Sequence, residues 1–127
     1  MLPLAYRHLW IAVSATLVAL VIAGSLAPTL PYTPPGQFDK LQHFGVYLLL
    51  TLWFTGLYPR ARYGWVAVAL VGLGLAMELL QQGMHLGRFA EALDMTANGA
   101  GVGLGVALAL LGTGGWARRV EAWVRRN

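Results

Sequence analysis

Four apolar stretches, each about as long as a bilayer is thick, decide what this chain can become. They run over roughly Leu9–Ala27, Asp39–Tyr58, Tyr63–His85 and Asp94–Leu111. About 20 predominantly apolar residues in a helix cross the hydrocarbon core. Composition agrees: 57% of the residues are hydrophobic and 11% charged, with a mean hydropathy of +0.60. A soluble domain carries about a quarter charged residues, so this chain lacks the charge to cover a water-facing surface. The spacing predicts an all-α polytopic membrane protein. It is one domain over residues 1–127, with a bundle of four transmembrane helices at about 9–27, 39–58, 63–85 and 94–111. The tail WARRVEAWVRRN reads as a short amphipathic C-terminal helix, with Trp116 and Trp123 at the interface and arginines among headgroups.

The connections support that division. Pro28, Pro31, Pro34 and Pro35 keep the first loop out of helical geometry. Pro59-Arg60-Ala61-Arg62 makes a short basic turn, and Leu86–Leu93 a short polar loop. Gly112, Gly114 and Gly115 end the fourth helix. Asp39 and Asp94 stand where N-caps are expected. The first stretch has a rival reading as a signal peptide, because Arg7 and His8 precede it and Ser25-Leu26-Ala27 resembles a cleavage site. The stretch is long for such a segment, and its removal would leave an odd number of helices.

Charge orients the bundle. Arg7, Arg60, Arg62, Arg118, Arg119, Arg125 and Arg126 flank one side; Lys40 and Arg88 flank the other. Basic residues favour the cytoplasmic side, so both termini are expected in the cytoplasm. Asp39, Glu78, Glu91 and Asp94 then lie toward the outer half, and Glu121 inside. The net charge of +4 and a pI near 10.0 reflect orientation rather than nucleic-acid binding. The absence of cysteine excludes disulfides and thiolate zinc sites.

Three helices each carry one polar stripe. Asp39, His43 and Tyr47 are spaced i, i+4, i+8; Glu78, Gln81, Gln82 and His85 are spaced i, i+3, i+4, i+7; Asp94 and Asn98 lead into Gly101 and Gly105. Polar groups in lipid are costly and face inward, so the stripes are expected to converge near the outer surface. Glu78 lies roughly 7 Å into its helix from Gly83, at 1.5 Å per residue. The functional reading makes Glu78 and His43 an acid/base or hydrogen-bonding centre, with Asp39 orienting His43. Lys40 and Arg88 would contact an anion, and Tyr47, Gln81, Asp94 and Asn98 would complete the binding pocket. The structural reading makes the same groups interhelical pairs and the two aspartates caps.

The second and fourth helices both begin on the outer side, so their positive dipole ends point at that pocket. A lipid phosphate suits such a place. His43, Glu78, His85 and Asp94 could in principle share a metal, but no two histidines have the spacing of a zinc helix motif, so no metal site and no cofactor are expected. Gly99, Gly101, Gly103 and Gly105 form small-xxx-small pairs suited to close helix packing or to a homo-oligomer.

The same residues carry a family resemblance. DKLQHFGVYLLL, MELLQ and GRFAEALDMTANGAGVGLG resemble the VanZ-like family of small membrane proteins. The motif residues are Asp39, Lys40, His43 and Tyr47; Glu78 and Gln81; Gly87 and Arg88; Asp94 and Asn98. They fall between Asp39 and Gly105. Phe89-Ala90-Glu91 departs from the proline-containing loop of that pattern. The resemblance implies a bacterial inner-membrane protein, and the namesake is linked to teicoplanin resistance.

The resulting expectation is an envelope protein that binds an anionic, lipid-linked cell-wall precursor or other envelope ligand, with its modification as a further step. The alternative is a non-catalytic membrane assembly protein. A small transporter is a third reading, disfavoured because no broken-helix repeat is evident.

Overall fold

A computed structural model describes residues 1–27, 37–84 and 92–127. Among these residues all regular structure is helical. The helices are α1 (Arg7–Leu26), α2 (Gln37–Leu57), α3 (Tyr63–Gly83), α4 (Ala92–Leu108) and α5 (Trp116–Val124). A single 3₁₀ turn at Arg60–Arg62 leads into α3. A wide turn at Ala109–Thr113 ends α4, where Gly112 takes φ 139°, a conformation open to glycine.

Among the described residues, three segments are long and apolar enough to cross a membrane: Arg7–Leu26, Arg60–Gly83 and Leu93–Thr113. The expected second span does not qualify on composition. Its first two turns contain Asp39, Lys40, Gln42 and His43, so its apolar part begins at Phe44. From there to Leu57 the helix is about 21 Å long, short of a hydrocarbon core of about 30 Å. α2 touches each of the other helices, and its most extensive contact is with α4.

That contact depends on missing side chains. A Cβ at Gly101 would collide with the Phe44 carbonyl oxygen, and one at Gly105 would lie 2.6 Å from Thr51 Cβ. Backbone-to-backbone approach of this kind gains packing where lipid supplies no hydrophobic drive between helices. The fully buried Thr51 and Thr55 are accommodated because their hydroxyls donate back along α2, to the Tyr47 and Thr51 carbonyls, at 2.7 Å each. Gly99 and Gly103 meet nothing within 4 Å. Of the four glycines read as packing positions, Gly101 and Gly105 serve this internal contact, and Gly99 and Gly103 remain on the open side. Tyr47, Leu50, Val66, Leu70 and Val102 form the apolar core among α2, α3 and α4.

α1 contributes no buried residue and is fastened at its two ends. At its start Glu121 of α5 accepts three hydrogen bonds: from the Ala5 amide (2.7 Å), the Tyr6 amide (2.9 Å) and the Trp10 indole (2.7 Å). α1 has no side-chain cap of its own, so a carboxylate from the far end of the sequence meets its exposed amides and positive dipole end. Trp10, Trp53 and Trp116 pack as a triangle with ring centroids 5.2–5.8 Å apart. Their indoles donate to Glu121, Ser14 and the Leu52 carbonyl. Trp116 therefore turns into the bundle instead of toward headgroups, whereas Trp123 is exposed. At the other end of α1, the Gln81 side-chain amide donates to the Ser25 carbonyl.

Candidate functional site

α2 and α4 both start at the end of the bundle away from the tryptophan triangle. Asp39 and Asp94 occupy the third helical positions, counting from Gln37 and Ala92. They thus lie within the first turns of their helices and are not N-caps as the sequence suggested. The carboxylates still benefit from the helix dipoles, and Asp94 is buried.

One turn further along each helix stand His43 and Asn98. His43 Nδ1 and Asn98 Oδ1 are 3.1 Å apart. A carboxamide oxygen only accepts, so Nδ1–H donates and Nε2 is left on the Asp39 side. The distance from Nε2 to Asp39 Oδ1 is 3.9 Å, an ion-pair separation beyond hydrogen-bond reach. Asn98, more than Asp39, orients the ring. Asn98 is 2% exposed and Tyr47 3%, so both are held by packing. Gly74 of α3 makes room for them: a Cβ there would lie 3.0 Å from Asn98 Nδ2 and 3.3 Å from the Tyr47 hydroxyl.

Glu78 and Gln81 of α3 are buried, and Glu78 lies one turn beyond Gly74 on the same helix. Gln81 is the strut that holds α1, so its part in the pocket is to fix a wall. The structure thus brings Asp39, His43, Tyr47, Asp94 and Asn98 to one end of the bundle, with Glu78 and Gln81 on the adjoining α3. Lys40 lies in the same first turn of α2 as Asp39. His85, Arg88 and Glu91 fall outside the described residues.

A half-open crevice of about 250 Å³ separates α1 from α2 at this end. Leu17, Leu20 and Val21 give it an apolar wall; Ser25, Asp39 and His43 give it a polar rim. The share of α1 in the site was not evident from the sequence, because α1 carries no polar stripe. The one signal available was Ser25, at the C-terminal end of α1, the end to which Gln81 donates.

Among the described residues, Asp39, His43 and Asp94 each offer one metal-ligating atom, and these atoms all lie within 4.8 Å of one another. Two come from α2 and one from α4. A search for histidine pairs on a single helix passes over such a set.

No protein-family model, curated protein or solved structure matches this chain.

Proposed function

We propose that this chain is a bacterial inner-membrane protein of the VanZ-like type, with both termini cytoplasmic, that binds an anionic lipid-linked ligand of the cell envelope in its outer pocket. The observation that carries the reading is the crevice beside α1. It joins an apolar wall (Leu17, Leu20, Val21) to a polar rim (Ser25, Asp39, His43) at one end of the bundle. That is the division of a lipid into chain and headgroup. On this reading α2 is the fourth span. Its polar first turns open on the crevice, which Asp39, Gln42 and His43 line, so it need not be apolar throughout.

Lys40 and Arg88 contact the anionic headgroup, and the starts of α2 and α4 add positive dipole ends. Glu78 and His43 are the acid/base pair if the bound group is modified. Changed handling of a cell-wall precursor would connect the site to glycopeptide susceptibility.

Native mass spectrometry of the detergent-purified protein tests the reading. The panel holds polyprenyl phosphates, cell-wall lipid precursors and ordinary phospholipids, with Glu78→Gln and Arg88→Ala alongside. Selective retention of one headgroup class, lost in both variants, is expected. Weak and equal retention of every lipid, unchanged by the variants, would return these residues to helix pairing.

A further inference from the structure

We propose that Asp39, His43 and Asp94 form a binding site for one divalent first-row metal ion of the zinc or manganese kind. This goes beyond the lipid-binding reading and does not depend on it. The donor set is one imidazole nitrogen and two carboxylate oxygens, all within 4.8 Å of one another. Imidazole suits zinc and its first-row neighbours, and carboxylates suit manganese and harder ions. With no cysteine in the chain, soft thiophilic ions have no thiolate to draw them.

The second argument is the state of the ring. Metal-bound histidines donate their other N–H to a carbonyl or carboxylate, which fixes the tautomer. His43 does this: Nδ1–H donates to Asn98 Oδ1 at 3.1 Å. Asn98 is buried on α4 and is not itself one of the three ligands. The bond leaves Nε2 on the side of Asp39, 3.9 Å from its Oδ1, as the ring nitrogen available to a metal.

Geometry and access also fit. Ligands about 2.1 Å from a tetrahedral metal stand about 3.4 Å apart, so the three side chains need to draw in by roughly an ångström. Asp39 and His43 line the crevice, which supplies an entry path and leaves coordination positions facing outward. The three ligands bridge α2 and α4 at their starts, so binding would also clamp the two helices together.

A metal there would change the electrostatics of the rim. The rim carries Asp39, with the buried Asp94 close behind it, a poor setting for a phosphate; a divalent cation between the two carboxylates would offer a phosphate oxygen a coordination site. That consequence alone rests on the function proposed above.

The test uses the metal alone. The full chain, purified in detergent without a histidine tag and stripped with chelator, is titrated with Zn²⁺ and separately with Mn²⁺, with no lipid added. Calorimetry reads zinc, and loss of the free-ion paramagnetic resonance signal reads manganese. One saturable site per chain is expected for at least one of the two ions. Asp39→Asn and His43→Gln, on the crevice rim, should each weaken it more than the about 10–100-fold typical of losing an outer-shell partner. Asp94→Asn should do the same, but the two rim variants decide the matter if that buried substitution prevents folding. No saturable site for either ion overturns the proposal, and so does binding that survives either rim variant. Because no lipid is present, failure here leaves the lipid-retention experiment to be judged on its own.

Discussion

Glu121 does its work at the opposite end from the candidate site, where it gathers the first turn of α1, the Trp10 indole and α5. Burial alone would raise its pKa. The hydrogen bonds from the Tyr6 amide, the Trp10 indole and the Ala5 amide, with Arg125 nearby, outweigh burial and hold it below the ordinary value of 4.5. A carboxyl with a lowered folded-state pKa stabilises the fold fully above its unfolded value and loses that contribution as pH falls through the folded value. Glu121→Gln is therefore expected to cost about 1–3 kcal/mol at neutral pH. The gap between the two proteins should close at a pH below that lowered value, where the native carboxyl is protonated too. Thermal denaturation in detergent at both pH values measures it, and a gap that stays constant would contradict this account. Single residues of the candidate site were partly legible in the sequence, since Glu78, His43, Asp94 and Asn98 stand out in apolar surroundings. Their partners were not. A stripe specifies a helix face, but whether His43 meets Asp39 or Asn98 depends on how α2 and α4 are rotated and how deep each sits.

Between elements, the α2–α4 contact sets the geometry of the site, because Asp39 and His43 lie on one helix and Asp94 and Asn98 on the other. Gly101→Ala puts a methyl group against the α2 backbone and is expected to cost about 1–3 kcal/mol, the usual range for overpacking. Gly103→Ala, two residues away on open helix surface, should be neutral or mildly stabilising, as alanine is in a helix. Comparing the two variants in one denaturation series checks the assignment; equal losses would mean that this packing face is wrong. The sequence showed the two interleaved glycine pairs but not which pair faces α2, since both have the same four-residue spacing. The helix limits were legible to within about two residues. That margin was enough to mistake Asp39 and Asp94 for caps, when they sit in the first turns of α2 and α4. α2 reads as a span in the sequence, yet it is not among the described helices apolar enough to qualify, because its hydropathy averages a polar start with an apolar remainder.

At the scale of the whole molecule, the two ends of the bundle have different tasks. One end holds the tryptophan triangle, Glu121 and the starts of α1 and α3, near Arg7, Arg60, Arg62 and the arginines of the tail. The other end collects Asp39, His43, Asp94 and Asn98. α1 spans the distance between them, tied by Glu121 at one end and by Gln81 at the other, and its middle forms the apolar wall of the crevice. Segregation of charge by end was legible in the sequence, because counting basic residues in loops needs no tertiary information. The crevice was not, since it arises from how loosely a uniformly apolar helix lies against its neighbours. Its role as the place where a lipid meets the polar rim is the central claim, and site-specific photo-cross-linking in native membranes tests it most directly. A photoreactive residue replaces Val21 on the crevice wall in one protein and Leu104, exposed on α4, in another. The account predicts a polyprenyl phosphate or precursor adduct at position 21 and only bulk phospholipid at position 104. The same phospholipid adducts at both positions would contradict it.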